Sequence, residues 1–211
     1  FLIEKRDAGA DVAYLAAAPF EILRLRRGVL VQESGSARRI LSGNPFEVMG
    51  GRLSAFHAVA APFSTGAVGM LSYEMARYLE RLPARPDLKE EALLMFFPQI
   101  LVMDRRSGSA FLTQTRPVDH SQTAALLAAL KALPAVGEER SRRRPVRLPK
   151  IKGSRGRPAF LEGVRCLKRS IRAGDIFQGV LSESFTLSVA AAPLQVYRTL
   201  RRESPSPYLF F

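Results

Sequence analysis

A stretch of twenty residues, 138–157, constrains most strongly how this chain of 211 residues can fold. It contains nine arginines and lysines against two glutamates, together with prolines and glycines, and it has no hydrophobic periodicity. Like charges at this density repel one another and resist burial, so the segment is typical of a solvated linker. We therefore predict two separately packed parts, residues 1–137 and 158–211, joined by a basic linker over residues 138–157.

The linker also carries much of the net charge of +13. A basic chain suggests nucleic-acid binding, but no recognition motif accompanies this charge. The excess of arginine over lysine in an alanine-rich chain is typical of coding-sequence composition rather than of function. We expect no nucleic-acid partner, and an RNA-binding role for the arginine tract is kept as a third alternative.

The supply of cysteine and histidine excludes several kinds of site. Cys166 is the single cysteine, which excludes an internal disulfide framework and a multi-cysteine zinc site. Two histidines are too few for a histidine-based metal cluster. A lone cysteine fits a reducing compartment, so we predict a cytoplasmic protein. Because no run of 18 apolar residues occurs, we expect no membrane span.

Strand and helix patterns alternate irregularly along the chain, which favours an α+β fold over a doubly wound one. We expect mixed, mainly antiparallel sheets with packed helices. The clearest hairpin is predicted where the runs Phe96–Met103 and Ala110–Thr115 flank a polar turn. The pair Gly50-Gly51 indicates a hairpin-type break.

The segment after the linker has the most regular pattern. Pro158 suits the start of a helix, and Gly174 suits the position just after its end. The apolar residues between them have helical spacing, namely Phe160, Val164, Leu167 and Ile171. A strand is predicted over Ile176–Val189, with Gln178 on its polar face. Its core face would carry Phe177, Leu181, Phe185 and Leu187. A last helix over Pro193–Arg202 and an extended run complete the chain.

Four stretches match the motifs of one enzyme family in the right order. They are VLVQES at residues 29–34, GAVGMLSYEMARYLERLP at 66–83, AGDIFQGVLS at 173–182 and LRRESPSPYLF at 200–210. They resemble the LLES, GYLSYD, GDIFQVVLS and NPSPYMF motifs of chorismate-utilising enzymes of the anthranilate synthase component I type. The resemblance covers essentially the whole chain. It implies a truncated anthranilate-synthase-like fold, in which 1–137 is a regulatory domain and 158–211 begins the catalytic domain.

The resemblance implies an activity for the longer protein. It would be a lyase of tryptophan biosynthesis that converts chorismate and ammonia into anthranilate and pyruvate. A glutamine amidotransferase subunit or domain would supply the ammonia. Mg²⁺ is the implied cofactor, with its ligands expected in a missing C-terminal half. We name no metal ligand within residues 1–211 and expect this fragment alone to be inactive.

An inhibitory tryptophan site is implied at Glu33, Ser34, Pro207, Tyr208 and Leu209. A hydroxyl and backbone groups can hold the charged ends of the amino acid, while Tyr208 and apolar neighbours flank the indole ring. Such a site would supply feedback inhibition. A non-catalytic amino-acid-binding module is the alternative from another functional class.

Gln178 separates the members of the resembled family. Relatives that add water to chorismate carry a lysine at this position as general base, and a neutral amide cannot take a proton from water. Gln178 therefore indicates an ammonia-adding enzyme, in which it would orient rather than deprotonate. Aminodeoxychorismate synthase component I, of the folate pathway, stays an alternative, although Pro-Ser-Pro-Tyr at 205–208 favours the anthranilate type.

Overall fold

The computed structural model of the chain describes residues 1–7, 9–56, 66–83, 90–114, 123–124, 127–128, 131–132 and 150–211. The chain divides into two compact units. The first unit combines Phe1–Pro134 with Tyr197–Phe211, and the second is Ala135–Val196. Within the described ranges, every helix is too short or too polar to cross a membrane.

The strands follow one another in chain order as β1 (Leu2–Arg6), β2 (Asp11–Leu15), β3 (Glu21–Arg26), β4 (Val29–Ser34), β5 (Ala37–Leu41), β6 (Val68–Leu71), β7 (Ala92–Phe96), β8 (Gln99–Asp104), β9 (Ser109–Gln114), β10 (Lys152–Gly153), β11 (Phe185–Thr186) and β12 (Tyr208–Phe210). The helices with defined ends are α1 (Pro45–Ser54), α2 (Arg157–Ala173) and α3 (Pro193–Glu203), with a 3-10 helix over Tyr73–Tyr78. Residues 123–124, 127–128 and 131 are also helical.

The first unit contains two antiparallel five-stranded sheets. The strand order is β12-β1-β2-β8-β9 in one, called the first sheet, and β5-β4-β3-β7-β6 in the other, called the second sheet. The predicted hairpin is confirmed as β8 and β9, whose register pairs Gln99 with Gln114 and Asp104 with Ser109. The α+β fold class with mainly antiparallel sheets is likewise confirmed.

One core lies between the second sheet and its helices. Leu23 and Leu25 of β3 are fully buried, and Arg24 between them points to the opposite face, because side chains alternate along a strand. Met49 from α1 and Met75 from the 3-10 helix pack against the buried face. Burial of this apolar surface is the main force that holds the helices on the sheet.

A second core joins the two sheets. Its buried members come from the first sheet and the residues next to it, namely Ala16, Phe97, Ile100 and Val102. Val68 of β6 and Met95 of β7 pack against them from the second sheet. Each sheet therefore has an inner face, defined here as the face that contacts this core, and an opposite face covered elsewhere.

A close backbone approach explains one glycine of the motif at residues 66–83. A Cβ atom at Gly69 of β6 would lie 1.7 Å from the carbonyl oxygen of Leu93 in β7. No side chain fits at that distance, so β6 can pair with β7 here only if residue 69 is glycine.

The hairpin-type break predicted at Gly50-Gly51 is wrong, because both glycines lie inside α1. The Asn44 side chain accepts a hydrogen bond from the Phe46 N–H at 2.9 Å, and Pro45 occupies the first turn. A capped start and the buried Met49 outweigh the low helix propensity of two glycines.

The second unit confirms the predicted helix and corrects the predicted strand. Helix α2 ends at Gly174, whose φ of 81° is left-handed, as expected for a helix-ending glycine. Of the strand predicted over Ile176–Val189, only β11 forms, paired with β10. A strand needs a neighbour for its backbone hydrogen bonds, and two residues of β10 supply it for two residues only.

The core face predicted for that strand is also wrong. Phe177 is fully exposed, Phe185 and Leu187 are exposed, and Leu181 is half-buried. None of the described residues 150–196 is buried, so the described part of this unit has no core of its own. The reason is geometric, since one amphipathic helix and a two-residue antiparallel strand pair cannot enclose the apolar side chains of this segment.

The compact units divide the chain differently from the predicted parts. Residues 138–149 of the predicted linker lie outside the described residues. The predicted second part, 158–211, is split, because its last fifteen residues belong to the first unit. The cause is the antiparallel pairing of β12 with β1, in which Tyr208 lies opposite Lys5 and Phe210 opposite Ile3.

A buried carboxylate of β1 reinforces this pairing. Glu4 is 1% exposed and lies opposite Leu209 in the register. Its Oε2 accepts a hydrogen bond from the Tyr197 hydroxyl at 2.6 Å and lies 2.8 Å from Arg201 Nε, while Arg105 contacts Oε1. We call Glu4, Arg105, Tyr197 and Arg201 the Glu4 cluster. Burial opposes ionisation of Glu4, but hydrogen bonds from Tyr197 and Arg105 and the charge of both arginines outweigh it and lower its pKa.

We expect Gly69→Ala to destabilise the first unit by at least about 2 kcal/mol, because the two strands must move apart. Urea unfolding followed by circular dichroism measures this. Gly50→Ala is the control, since nothing lies within 4 Å of its added Cβ and alanine favours a helix. Equal unfolding midpoints for Gly69→Ala and the wild type would contradict the close approach.

The lowered pKa of Glu4 predicts a pH effect on stability. Its contribution is present above the unfolded-state pKa, about 4.3, and is lost as the pH falls through the lower folded-state value. We expect Glu4→Gln to be about 2–3 kcal/mol less stable at pH 7, with a smaller difference towards pH 3. Urea unfolding across this range, with the exposed Glu47→Gln as control, tests it; a difference independent of pH would contradict it.

Candidate functional site

The first predicted site residue, Glu33, lies on the inner face of the second sheet. In the register Ile22 of β3 pairs with both Glu33 and Met95, so the three side chains share one face. Met95 packs against the core between the sheets. The Glu33 carboxylate lies 3.7 Å from Arg24 and 4.0 Å from Arg38, and its side chain is half-buried.

These ion pairs are part of a row of alternating charges across the second sheet. Arg24 also contacts Glu90, which lies 3.5 Å from Arg26. We call this set the charge row: Arg26, Glu90, Arg24, Glu33 and Arg38. Ion pairs that are partly exposed contribute little to stability. Their groups can therefore exchange partners with the ammonium and carboxylate groups of a small ligand at small cost.

Ser34 lies on the opposite face of β4 from Glu33, because adjacent side chains alternate. Its hydroxyl donates a hydrogen bond to the carbonyl oxygen of Phe20 at 3.0 Å. The hydroxyl is thus engaged with the backbone between β2 and β3. Any role of Ser34 on the inner face belongs to its backbone groups.

Tyr208 of β12 lies on the inner face of the first sheet. It pairs with Lys5, which pairs with Val12, and Val12 packs against the core between the sheets. The Lys5 ammonium lies 5.9 Å from the centre of the Tyr208 ring, and the ring is exposed. A cation at this distance interacts favourably with the ring face.

The neighbours of Tyr208 contribute differently. Leu209 pairs with Glu4 and points to the opposite face. The Pro207 carbonyl oxygen accepts a hydrogen bond from the Arg6 N–H at 2.7 Å. Of the five predicted effector residues, the structure thus places Glu33 and Tyr208 on the two inner faces, whereas Ser34 and Leu209 point away from them.

Sequence reasoning missed the charged neighbours of these two residues. Arg24 and Arg38 flank Glu33, and Lys5 flanks Tyr208. Glu90 contacts Arg24 from its other side. Alternation in the sequence EILRLR places Arg24 on one face with Ile22. The identity of its partners depends on the register between strands, which no local pattern contains.

The motif at residues 66–83 supports the second sheet from its helical side. Glu91 is 1% exposed and accepts hydrogen bonds from Arg77 Nη2 at 2.7 Å, the Tyr78 hydroxyl at 2.5 Å and the Gly28 N–H at 3.0 Å. Burial, together with the neighbouring carboxylate, raises the pKa of Tyr78 despite the opposing effect of Arg77. We call Glu91, Arg77 and Tyr78 the Glu91 cluster.

Gln178 lies in the second unit and is exposed. The residue after it, Gly179, lies so close to α2 that a Cβ there would be 2.7 Å from Leu167 Cδ2. In return, a Cβ at Gly163 of α2 would be 2.7 Å from Leu181 Cδ2. This reciprocal glycine–leucine packing holds the segment that carries Gln178 against the helix.

The described ranges contain no cluster of three or more histidine, cysteine, aspartate or glutamate residues that could hold a metal ion. We therefore assign no magnesium ligand among the described residues. The Mg²⁺ that the motif resemblance implies stays a prediction, and no chemical step is assigned to it.

Comparison with known proteins gives one family. Residues 30–211 match the family described as chorismate binding enzyme. The chain is similar to anthranilate synthase component 1 of Acetivibrio thermocellus, at 26% identity over 100% of this chain and 48% of that protein. It is similar to the Thermus thermophilus protein of the same name, at 31% identity over 99% of this chain and 46% of that one.

Aminodeoxychorismate synthase component 1 of Bacillus subtilis is similar at 32% identity, over 71% of this chain and 33% of that protein. Among solved structures, anthranilate synthase component I from Streptococcus pneumoniae superposes with a TM-score of 0.75 at 23% identity, over 98% of this chain and 48% of that one. The predicted fold is thereby confirmed. The chain spans about half the length of the curated anthranilate synthase relatives that it matches.

Proposed function

Because this chain belongs to the chorismate-binding enzyme family, we propose that it is the N-terminal half of an anthranilate synthase large subunit. The observation that supports this proposal most strongly is the similarity to anthranilate synthase component 1 over essentially the whole chain. The complete protein would be a lyase that forms anthranilate and pyruvate from chorismate and ammonia. A glutamine amidotransferase would supply the ammonia. The single cysteine, Cys166, is free, in keeping with a cytoplasmic location.

The second unit supports the view that the active site needs more chain than these residues. It exposes Phe177 and Phe185, and α2 has no buried residue. Apolar surface of this extent is unfavourable in water and calls for a covering partner. We propose that a segment equivalent to the remaining half of the relatives covers it and completes the chorismate site. The Mg²⁺ ligands would lie in that segment.

Gln178 would take part in this site as an orienting residue. Its side chain amide can donate and accept hydrogen bonds but does not titrate near neutral pH. Ammonia is itself a nucleophile with a free electron pair, whereas water needs a general base. A glutamine at this position suits the addition of ammonia, and the packing of Gly179 against Leu167 holds its backbone in place.

The first unit would bind tryptophan as a feedback inhibitor. Glu33 and Tyr208 lie on the two inner faces, and the charge row supplies both signs that a zwitterionic amino acid requires. Glu33 would accept the ammonium group, Arg38 or Arg24 would pair with the carboxylate, and Tyr208 would stack on the indole. Backbone groups of Ser34, Pro207 and Leu209 would line the same site.

A second candidate reaction is the formation of aminodeoxychorismate. The observation in its favour is the similarity to the Bacillus subtilis aminodeoxychorismate synthase component 1. Both reactions add ammonia to chorismate, so Gln178 suits either. They differ in whether pyruvate is eliminated afterwards.

The reaction is tested with the longest reading frame that contains these residues, supplied with chorismate, ammonium and Mg²⁺. We expect fluorescent anthranilate and an equal amount of pyruvate, and no turnover by the 211-residue chain alone. An aminated product without pyruvate would replace the main proposal by the second candidate. Turnover by the 211-residue chain would overturn the proposal that a further segment completes the active site.

The effector site is tested by calorimetry of the 211-residue chain with tryptophan. We expect Glu33→Gln to weaken binding about tenfold, because it removes a charged partner of the ammonium group. Glu47→Gln, an exposed carboxylate on α1, is the control and should bind as the wild type does. Equal affinity of the Glu33 and Glu47 variants would contradict the role of Glu33, and phenylalanine bound as tightly as tryptophan would contradict the indole contact.

A further inference from the structure

Two buried carboxylates in the first unit have nearly the same chemistry but connect different parts of the chain. Glu4 and Glu91 are each 1% exposed, and each contacts an arginine and a tyrosine hydroxyl. The tyrosine of the Glu91 cluster is 13 residues from its carboxylate. The tyrosine of the Glu4 cluster is 193 residues away, in α3. Of these two carboxylates, Glu4 is therefore the one that joins the first strand to the last helix.

The strand that follows this helix, β12, is held weakly by its own contacts. β12 has three residues and pairs with β1 along one side. Leu2 and Phe211 exchange two backbone hydrogen bonds of 2.8 Å, and the Arg6 N–H donates to Pro207. A three-residue edge strand in which two of the three side chains are exposed is marginal by itself, since it buries little apolar surface.

The helix and the strand are connected by a short and stiff segment. Residues 204–207 have the sequence Ser-Pro-Ser-Pro, and α3 ends at Glu203. Each proline ring restricts one backbone dihedral, so the segment has few conformations. The position of Tyr197 and Arg201 on Glu4 consequently restricts where β12 can lie.

We propose that Glu4 is a positioning residue for the effector site. By contacting Tyr197 and Arg201 it fixes the position of β12, and it thereby places the Tyr208 ring on the inner face of the first sheet. This role rests on the proposed tryptophan site. Glu4 itself points to the opposite face of β1 and touches no ligand there, because Lys5, its neighbour, is the residue opposite Tyr208.

The fraction of molecules in which β12 is paired with β1 and the affinity for the effector are linked quantitatively. A ligand that needs β12 in place binds with its intrinsic affinity multiplied by the fraction of molecules in which β12 is paired with β1. Weakening the Glu4 cluster lowers that fraction. By reciprocity, bound tryptophan favours the state in which β12 is paired with β1 to the same extent. The cluster is thus a point where a substitution remote from the ligand tunes the strength of feedback inhibition.

The test uses hydrogen exchange and calorimetry on the full 211-residue chain. The variants are Glu4→Gln and the milder Tyr197→Phe, which removes one hydroxyl and keeps the ring. The matched controls are Glu91→Gln and Tyr78→Phe, which remove the same groups from the other cluster. Exchange is read at the Phe211 amide, which donates to Leu2 at 2.8 Å, and at the Leu209 amide, which the alternation of hydrogen-bonded pairs directs at β1.

We expect exchange at these amides to accelerate about tenfold in Glu4→Gln and about fivefold in Tyr197→Phe. Tryptophan affinity should fall in proportion to the fraction of molecules with β12 in place, and by more in Glu4→Gln than in Tyr197→Phe. The controls should lower the global unfolding midpoint without these local changes, because local opening at a chain end is separate from global unfolding. If Glu4→Gln fails to fold, Tyr197→Phe against Tyr78→Phe gives the same comparison.

If substitutions in the two clusters changed β12 exchange and tryptophan affinity equally, the role of Glu4 would be overturned. Both clusters would then act only through general stability. Faster exchange with unchanged tryptophan affinity would overturn the role of Glu4 as well. A wild-type chain that does not bind tryptophan would instead overturn the proposed effector site, and the role of Glu4 with it. The two failures are therefore distinguished by the wild-type titration.

Discussion

The antiparallel pairing of the last strand with the first is the contact on which the arrangement of the first unit depends. It brings residues 197–211 into the unit formed by the N-terminal part of the chain. It also decides which face of the first sheet carries Tyr208. The buried Glu4 carboxylate strengthens the pairing through Tyr197 and Arg201. A buried charge is costly unless fully partnered, and this one has two arginines and a hydroxyl.

The two compact units differ in what stabilises them. Among its described residues, the first unit has two apolar cores and the buried carboxylates Glu4, Glu21 and Glu91, each paired with arginine. The second unit has an amphipathic helix and a short antiparallel strand pair but no buried residue in its described part. This difference agrees with a chain that spans about half of its relatives. Apolar side chains such as Phe177 gain nothing from folding until another surface covers them.

Local patterns predicted the elements whose stabilising interactions are themselves local. The hairpin of β8 and β9 has a polar turn between two apolar runs, and α2 has a proline start and a glycine end. Helix α1 was missed because the pair Gly50-Gly51 has low helix propensity and indicates a break in the sequence pattern. The strand predicted over Ile176–Val189 is wrong for a reason that is not local. Its alternation is correct for a strand, but the described chain offers a neighbour for two residues only.

The amino-acid order was sufficient for the family and for the class of fold. It could not supply the register between strands, because a shift of one residue reverses every side chain and leaves the sequence pattern unchanged. Register is why Glu33 faces Arg24 and Arg38 and why Ser34 faces away from them. The contact between Glu4 and Tyr197 joins residues 193 positions apart. Contacts of that separation arise only when the sheets, helices and chain ends pack together.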